Sequence, residues 1–293
     1  MKTIYIVLHY LNIKETYDCV NSILSIDYDD KEIIIVDNGS KNGTGEELAN
    51  IYKDNKLVKV VISNENLGFA NGNNLGIREV EHKQNTLLVI CNSDLIFYKP
   101  DFSAKAVKLY KREKFAVLGP EVLSEDGKLH ECPSKIEFND GNELKSEIKK
   151  FSILKTLNSW KMVNTSRLVH KILSKTREKF SYNQQMTNEK ISIKVHGSCF
   201  VLSPIFFERY DGLFNGTFLF QEENILGHMC KKAGLKLLFS PDLSVIHLGS
   251  RSYKVRHNNE KERFCNYIDN CYKSLLSYEE YLKNENFNSN GLL

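Results

Sequence analysis

No stretch of the sequence reaches the ~18 consecutive apolar residues needed to cross a bilayer. The N-terminal run Ile4 to Leu11 is only about eight residues long, contains His9 and is followed by no small-residue cleavage site. It reads as a first β-strand rather than a signal peptide, and the expected location is the cytoplasm. The seven cysteines (Cys19, Cys91, Cys132, Cys199, Cys230, Cys265 and Cys271) are scattered and contain no C-x-x-C pair. That argues against both a zinc module and a disulfide framework, and buried reduced thiols are expected. Charge of one sign is also missing. Forty Lys and Arg against 37 Asp and Glu leave +3, too little to argue for a nucleic-acid partner, and none is expected. There is no internal repeat, and low complexity is confined to the polar tail Asn284 to Asn290.

What remains is an ordinary globular composition, 41% hydrophobic and 26% charged over 293 residues. The length suits one large α/β domain with additions, or two domains. Residues 1–130 alternate strand-like and helix-like patterns. Ile4–Leu8, Glu32–Val36, Val58–Ile62 and Thr86–Cys91 read as strands. A helix carrying Cys19, Val20, Ile23 and Leu24, with Thr16 as its cap, and helices over Glu46–Lys53 and Ala70–Glu79 lie between them. The order β-α-β-α-β-α-β implies an α/β fold with a mostly parallel central sheet and helices on both faces. In such sheets ligands bind at the carboxyl ends of strands. Three polar clusters fall there and should lie side by side: His9-Tyr10, Asp37-Asn38-Gly39-Ser40 and Asn92-Ser93-Asp94.

Residues 143–179 differ in character. Ten Lys or Arg against three Glu are interleaved with Phe151, Leu154, Leu157, Trp160 and Leu168 at helical spacing. A basic amphipathic helix of this kind can lie on an anionic membrane surface, or can simply pack its apolar side on the domain. Beyond it, Ile193–Leu202 is strand-like but interrupted by Gly197-Ser198. The Gln221-Glu222-Glu223 cluster then opens a helix to Lys232, a strand covers Leu235–Phe239, and His247 follows Val245-Ile246. Residues 260–283 read as a closing amphipathic helix.

Four motifs occur in order. They are Ile33-Ile34-Ile35-Val36-Asp37-Asn38-Gly39-Ser40, Gly43-Thr44, the run from Asn64 through Asn66-Leu67-Gly68-Phe69-Ala70-Asn71-Gly72-Asn73-Asn74 to Gly76, and Asn92-Ser93-Asp94. Their concatenation resembles the family 2 inverting glycosyltransferases of GT-A fold. It is most similar to the branch of bacterial rhamnosyltransferases of O-antigen and capsule assembly. The resemblance is close over residues 3 to 100 and looser over 193 to 252. It implies a GT-A domain over 1–255 with the basic helical insert at about 140–185, and a C-terminal helix and polar tail over 256–293.

The resemblance also implies roles. Asp37 would contact the nucleotide base, where a carboxylate can accept from a base N–H or a ribose hydroxyl; the plain alternative is a turn cap. The Gly/Asn-rich segment would line the nucleotide-sugar pocket, since glycines allow close backbone approach and a helix N-terminus favours anions. The full expected nucleotide-sugar set is His9, Tyr10, Asp37, Asn38, Asn66, Gly68, Asn71, Asn92, Ser93 and Arg251. Asp94 and His247 are the expected ligands of a divalent cation, Mn²⁺ or Mg²⁺. Asn92 stands where the family's first carboxylate is common, which weakens that site. Glu223 falls on the position of the general base with Glu222 beside it, and either Glu could serve. The pattern departs at Ile225, where many members carry Asp. His196 is a candidate for the acceptor or sugar side.

The implied reaction is a single displacement at the anomeric carbon of a UDP- or dTDP-sugar, dTDP-rhamnose included, by a hydroxyl of a cell-surface glycan or lipid-linked oligosaccharide. Contact with the inner membrane surface would be peripheral. Two other readings are weighed. A nucleotidyltransferase would want a Gly-rich, Lys- or Arg-bearing loop after the first strand, but His9-Tyr10-Leu11-Asn12 has no glycine. A degenerate, non-catalytic binding domain is suggested by Asn92 and Ile225, and opposed by the retention of Asp37, Asp94, Glu222, Glu223 and His247.

Overall fold

The structure, a computed structural model, describes residues 1–127, 132, 134–135, 141–174, 193–249 and 259–284. Its first half runs β1 (Lys2–His9), α1 (Ile13–Leu24), β2 (Lys31–Asp37), α2 (Thr44–Tyr52), β3 (Val58–Ile62), α3 (Gly68–Arg78) and β4 (Thr86–Asn92). The two-residue β5 (Leu95–Ile96), α4 (Phe102–Glu113) and β6 (Val117–Ser124) follow. Then come β7 (Ser134–Lys135), α5 (Gly141–Ser159), α6 (Val163–Ser174), β8 (Ile193–Lys194) and β9 (Cys199–Leu202). The last described elements are α7 (Pro204–Phe207), α8 (Glu222–Lys232), β10 (Leu237–His247) and α9 (Glu260–Lys283).

Eight strands form one sheet in the order β3-β2-β1-β4-β9-β6-β10-β5. The β1–β2, β1–β4, β2–β3 and β6–β10 pairs are parallel, whereas β9 and β5 pair antiparallel to their neighbours. β1, β2 and β4 are nearly continuously apolar because both of their faces are covered. Successive side chains point to opposite faces. Thus Ile4, Ile6, Ile34, Val36, Leu88 and Ile90 enter one core, with α3, α5, α8 and α9 over it. Tyr5, Val7, Ile33, Ile35, Val89 and Cys91 enter the other, under α1, α2 and α4. All seven cysteines are free thiols, and all but Cys265 are buried. No helix among the described residues is long and apolar enough to cross a membrane.

Two local expectations are corrected. Asn12, not Thr16, caps α1, its side chain accepting from the Glu15 amide. Thr16 instead turns inward, accepts a place against the His9 ring and donates to the Asn12 carbonyl. The strand expected over Leu235–Phe239 continues to His247 as β10, with a register shift between Ser240 and Ser244. Pro241 lies in that shift, where a residue without an N–H cannot extend the ladder.

The basic segment resolves into two behaviours. Leu144, Phe151 and Leu154 of α5 are buried against α9 and the core. Trp160 in the α5–α6 turn is 68% exposed, and Leu168 and Ile172 of α6 are each 59% exposed.

Candidate active site

The parallel register aligns the three polar strand ends. His9 pairs with Asp37, and Leu8 with Asn92. The His9 ring is fully buried and lies 2.6 Å from the Thr16 hydroxyl at Nδ1 and 2.9 Å from the Thr44 hydroxyl at Nε2. Burial lowers its pKa to about 4, so the ring is neutral at pH 7. It therefore supplies no charge to Asp37, whose Oδ1 is 3.9 Å away. Asp37 is fully buried, and burial pushes its pKa up against the opposing hydrogen bonds from Ser40. Its Oδ1 accepts from the Ser40 amide at 3.2 Å, and its Oδ2 has no hydrogen-bond donor in the protein. A buried acceptor in this state favours a donor N–H or O–H from outside the chain. Tyr10 is half-buried at the same edge.

Asn38 and Asn66 hold the next loop together. Asn38 Oδ1 accepts from the Leu67 amide at 2.9 Å and its Nδ2 donates to the Gly68 carbonyl at 3.0 Å. Asn66 Oδ1 accepts from the Gly68 amide at 2.9 Å. Gly68 has φ +82°, and a Cβ there would collide with the Phe218 backbone. The asparagines of α3 then grip that same segment. Asn71 donates to the Asn215 carbonyl at 3.1 Å, and buried Asn74 both donates to the Leu213 carbonyl and accepts from its amide at 2.8 Å. The Phe69 amide closes on the Phe218 carbonyl at 2.8 Å. The Gly/Asn-rich segment is thus a seam that positions residues 213–218, directly before the acidic pair.

That pair follows two non-glycine residues in the left-handed region, Phe220 (φ 77°) and Gln221 (φ 74°). Such conformations cost about 1–3 kcal/mol each and persist only where the surroundings hold them. Here α9 does so. Ser274 Oγ donates to the Leu219 carbonyl at 2.8 Å, and the Phe220 and Tyr267 rings meet edge-on with centroids 5.2 Å apart. Glu222 Oε1 is shut off from solvent with no hydrogen-bond partner. Burial, and then the neighbouring Glu223 charge, raise the Glu222 pKa to about 8. Glu223 lies over Gly197, where a Cβ would come within 2.7 Å of Glu223 Oε1.

The turn carrying Gly197 is the hub of the site. The Ser198 carbonyl accepts from the Asn92 amide at 2.8 Å, joining the turn to the end of β4. His196 Nδ1 accepts from the Ser198 amide at 3.2 Å, and the His196 and His247 ring centroids are 5.5 Å apart. His247 pairs with Leu95 across β10 and β5, and the Leu248 amide donates to the Asp94 carbonyl at 2.9 Å. This places His247 Nε2 3.3 Å from Asp94 Oδ2, both groups being nearly buried. Ser93 is buried beside them, and an open hollow lined by Ser124, Glu125, Asp126 and Gly249 adjoins His247.

Residues 5–206, well over half of the chain, match the family described as glycosyl transferase family 2. The chain belongs to glycosyl transferase family 2. A poly-β-1,6-N-acetyl-D-glucosamine synthase of Staphylococcus epidermidis is 34% identical over 95 residues, 31% of this chain and 23% of that protein. The match therefore spans under a quarter of that relative's length. Among solved structures, a mannosyltransferase of Pyrobaculum calidifontis in complex with GDP-Man and Mn²⁺ covers 95% of this chain and 69% of its own at 15% identity, with a TM-score of 0.54. GalNAc-T7 with UDP, GalNAc and Mn²⁺ covers 85% and 43% at 14% identity, with a TM-score of 0.58. TarS 1-349 of S. aureus covers 98% and 74% at 12% identity, with a TM-score of 0.53. These likenesses show the GT-A fold.

In this member of the family, no group of three or more His, Cys, Asp or Glu side chains among the described residues could cage a metal ion. The Asp94 carboxylate and His247 imidazole nonetheless fit a hexacoordinate cation of the kind that takes one or two protein ligands and completes its shell with phosphates and water. Arg251 lies outside the described residues. Gly197, Asn74 and Gln221 stand out in the sequence as a strand break, part of the Gly/Asn-rich run and the start of the acidic cluster, but their packing roles were not legible there, and Phe220 was not marked at all.

A cavity of about 400 Å³ lies at the opposite, amino-terminal ends of β1 to β3, lined by Lys2, Glu32, Lys56 and Thr86. Ligands of open α/β sheets bind at the other end, where the polar residues converge.

Proposed function

We propose that this chain is an inverting glycosyltransferase that moves a sugar from a UDP- or dTDP-sugar to a hydroxyl of a cell-surface glycan or lipid-linked oligosaccharide. The observation that carries the reading is the convergence of Glu223, over Gly197, with the Asp94–His247 pair at one strand end. Asp37 takes the nucleotide base or ribose through its unpartnered buried oxygen. His9 stands behind that carboxylate as a neutral ring held by the Thr16 and Thr44 hydroxyls, and the Ser40 amide is what bonds Asp37. Asp94 and His247 would hold a divalent cation, which when bound neutralises charge on the leaving diphosphate.

Glu222 and Glu223 divide their roles by environment. Burial and the neighbouring Glu223 raise the Glu222 pKa to about 8, which favours its protonated form at neutral pH and leaves Glu223 as the base. Glu223 accepts the proton of the acceptor hydroxyl as that oxygen bonds to the anomeric carbon. The bond from that carbon to the diphosphate oxygen breaks, and the nucleotide diphosphate leaves with the electron pair. One displacement inverts the centre, so a β-linked donor such as dTDP-rhamnose would give an α-linkage.

The polysaccharide-synthase relative supports a role in glycan assembly. Exposed Trp160, Leu168 and Ile172, flanked by exposed Lys161, Arg167 and Lys171, support peripheral contact with the cytoplasmic face of the membrane. Co-sedimentation with anionic vesicles should therefore fall in a Trp160→Ala, Leu168→Ala, Ile172→Ala variant; unchanged binding refutes that contact.

The deciding experiment is nucleotide-diphosphate release from a panel of UDP-, dTDP- and GDP-sugars with Mn²⁺, Mg²⁺ or EDTA. Cation-dependent hydrolysis of one donor, lost in Glu223→Gln while donor binding persists, is the expected result. Failure to bind any donor would refute the reading in favour of a non-catalytic domain.

A further inference from the structure

A cavity of about 240 Å³ lies beside Glu223. Its walls come from the helices flanking α8. Phe151 and Lys150 of α5, His170 of α6, Tyr267 of α9, Phe220 and Lys194 line it together with Glu223. Tyr267 is the hub of its aromatic wall. Its ring is 6.2 Å from Phe151, 5.7 Å from His170 and 5.2 Å from Phe220, centroid to centroid. Lys150 is half-buried, bonded to Glu147 at 3.0 Å, with its ammonium 5.4 Å from the Phe151 ring centre.

We propose that this cavity is the acceptor site, and that it takes one neutral sugar ring with a hydroxyl turned to Glu223. The inference rests on the glycosyltransferase reading and extends it to the acceptor. Three features carry it. The proposed base forms part of the wall, so a hydroxyl bound there lies where its proton is taken. Aromatic faces give the C–H surface of a sugar ring an apolar partner, and the ammonium, imidazole and carboxylate groups around them bond its hydroxyls. The lysines Lys150 and Lys194 are matched by Glu147 and Glu223, so the cavity has no surplus charge to select a phosphate or carboxylate. Its volume lies below the ~300–1,000 Å³ typical of drug-sized ligands, which suits one ring rather than a longer glycan. The helical segment at 141–174 is then a part of acceptor recognition as well as a surface feature.

The test measures binding of methyl α- and β-glycosides of glucose, galactose, mannose, N-acetylglucosamine and rhamnose to the full chain. Glucose 6-phosphate is the anionic contrast. Saturation-transfer NMR in the presence of UDP or dTDP is the readout. At least one neutral glycoside should bind saturably and more tightly than the sugar phosphate. Tyr267→Ala and Lys194→Ala should weaken it at least fivefold, Tyr267→Phe should restore it, and a matched thermal midpoint should show that each variant folds. With a transferable donor in hand, the ratio of acceptor KM to donor KM should rise at least tenfold in the two alanine variants. A protein that cleaves a donor but binds none of these glycosides overturns the inference. So does binding indifferent to every variant, or preference for the phosphate. Failure to bind or cleave any donor instead refutes the transferase reading, and the acceptor assignment with it.

Discussion

Gly197→Ala separates the chemistry of Glu223 from the stability of the fold. A Cβ at residue 197 would meet Glu223 Oε1 at 2.7 Å, Cδ at 3.2 Å and Cγ at 3.3 Å. Ordinary contact begins at 3.4 Å, so the carboxylate oxygen must retreat by 3.4 − 2.7 = 0.7 Å. The atoms displaced belong to the end of a flexible side chain, and Gly197 is not among the positive-φ glycines. An alanine is therefore conformationally acceptable and should change stability by less than about 1 kcal/mol. Catalysis is less tolerant, because a misplacement of about 1 Å in a reacting group costs on the order of 10²-fold. Gly197→Ala should lower kcat of donor cleavage roughly 30- to 100-fold, leave donor affinity within about twofold and keep the thermal midpoint within about 3 °C. Glu223→Gln, which removes the base, should cost about 10²–10⁴-fold. The pair of variants is assayed by nucleotide-diphosphate release, isothermal titration with the donor, and thermal unfolding. Wild-type turnover in Gly197→Ala would refute the placement of the Glu223 carboxylate at the reacting centre.

The other predictions concern the groups that hold this site. In Glu222→Gln the burial penalty of a carboxylate disappears. The folded protein keeps the Glu222 proton up to about pH 8, whereas the unfolded chain loses it near the ordinary value of 4.5, so wild-type stability falls with rising pH across that window. The variant should gain relative stability from pH 5 to 8, of order 3–4 kcal/mol at the upper end, measured by urea unfolding; a pH-independent difference refutes the raised pKa. Asn74→Ala strands the buried amide and carbonyl of Leu213 and should cost about 2–4 kcal/mol, read as a Tm fall of roughly 5–15 °C. An unchanged Tm would show that the α3 seam does not hold the 213–218 segment. Asp94→Asn should raise the Mn²⁺ concentration for half-maximal donor cleavage at least ~10-fold, and an unaltered titration would remove Asp94 from the cation site.

Much of the first half was legible because its physics is local. A strand buried on both faces must be apolar at every position, so Ile33 to Val36 announce β2 without any tertiary information. Local patterning of another kind marked β3, a β-branched run expected and found over Val58–Ile62, and α9, an amphipathic helix expected and found over 260–283. Parallel alternation then places strand ends together, and His9, Asp37 and Asn92 do align. Side-chain direction was not legible. His9 reads as a polar residue at a strand end, yet its ring points into the domain between Thr16 and Thr44, which is also why Thr16 does not cap α1. The asparagines of α3 read as pocket lining, yet Asn74 closes on a segment 139 residues away.

The sequence alone determined the order of the first four strands and three helices, the closing helix, the family and the residue types available for chemistry. These follow from periodicity and from motifs of adjacent residues, which need no knowledge of distant contacts. The tertiary structure alone decided which polar groups face one another. The antiparallel pairing of β5 with β10 sets His247 beside Asp94. The packing of α9 holds Phe220 and Gln221 in strained backbone and shuts off Glu222, so that two adjacent glutamates acquire different environments. Proton affinity depends on burial and on neighbouring charge, and both are properties of the folded surroundings rather than of the residue.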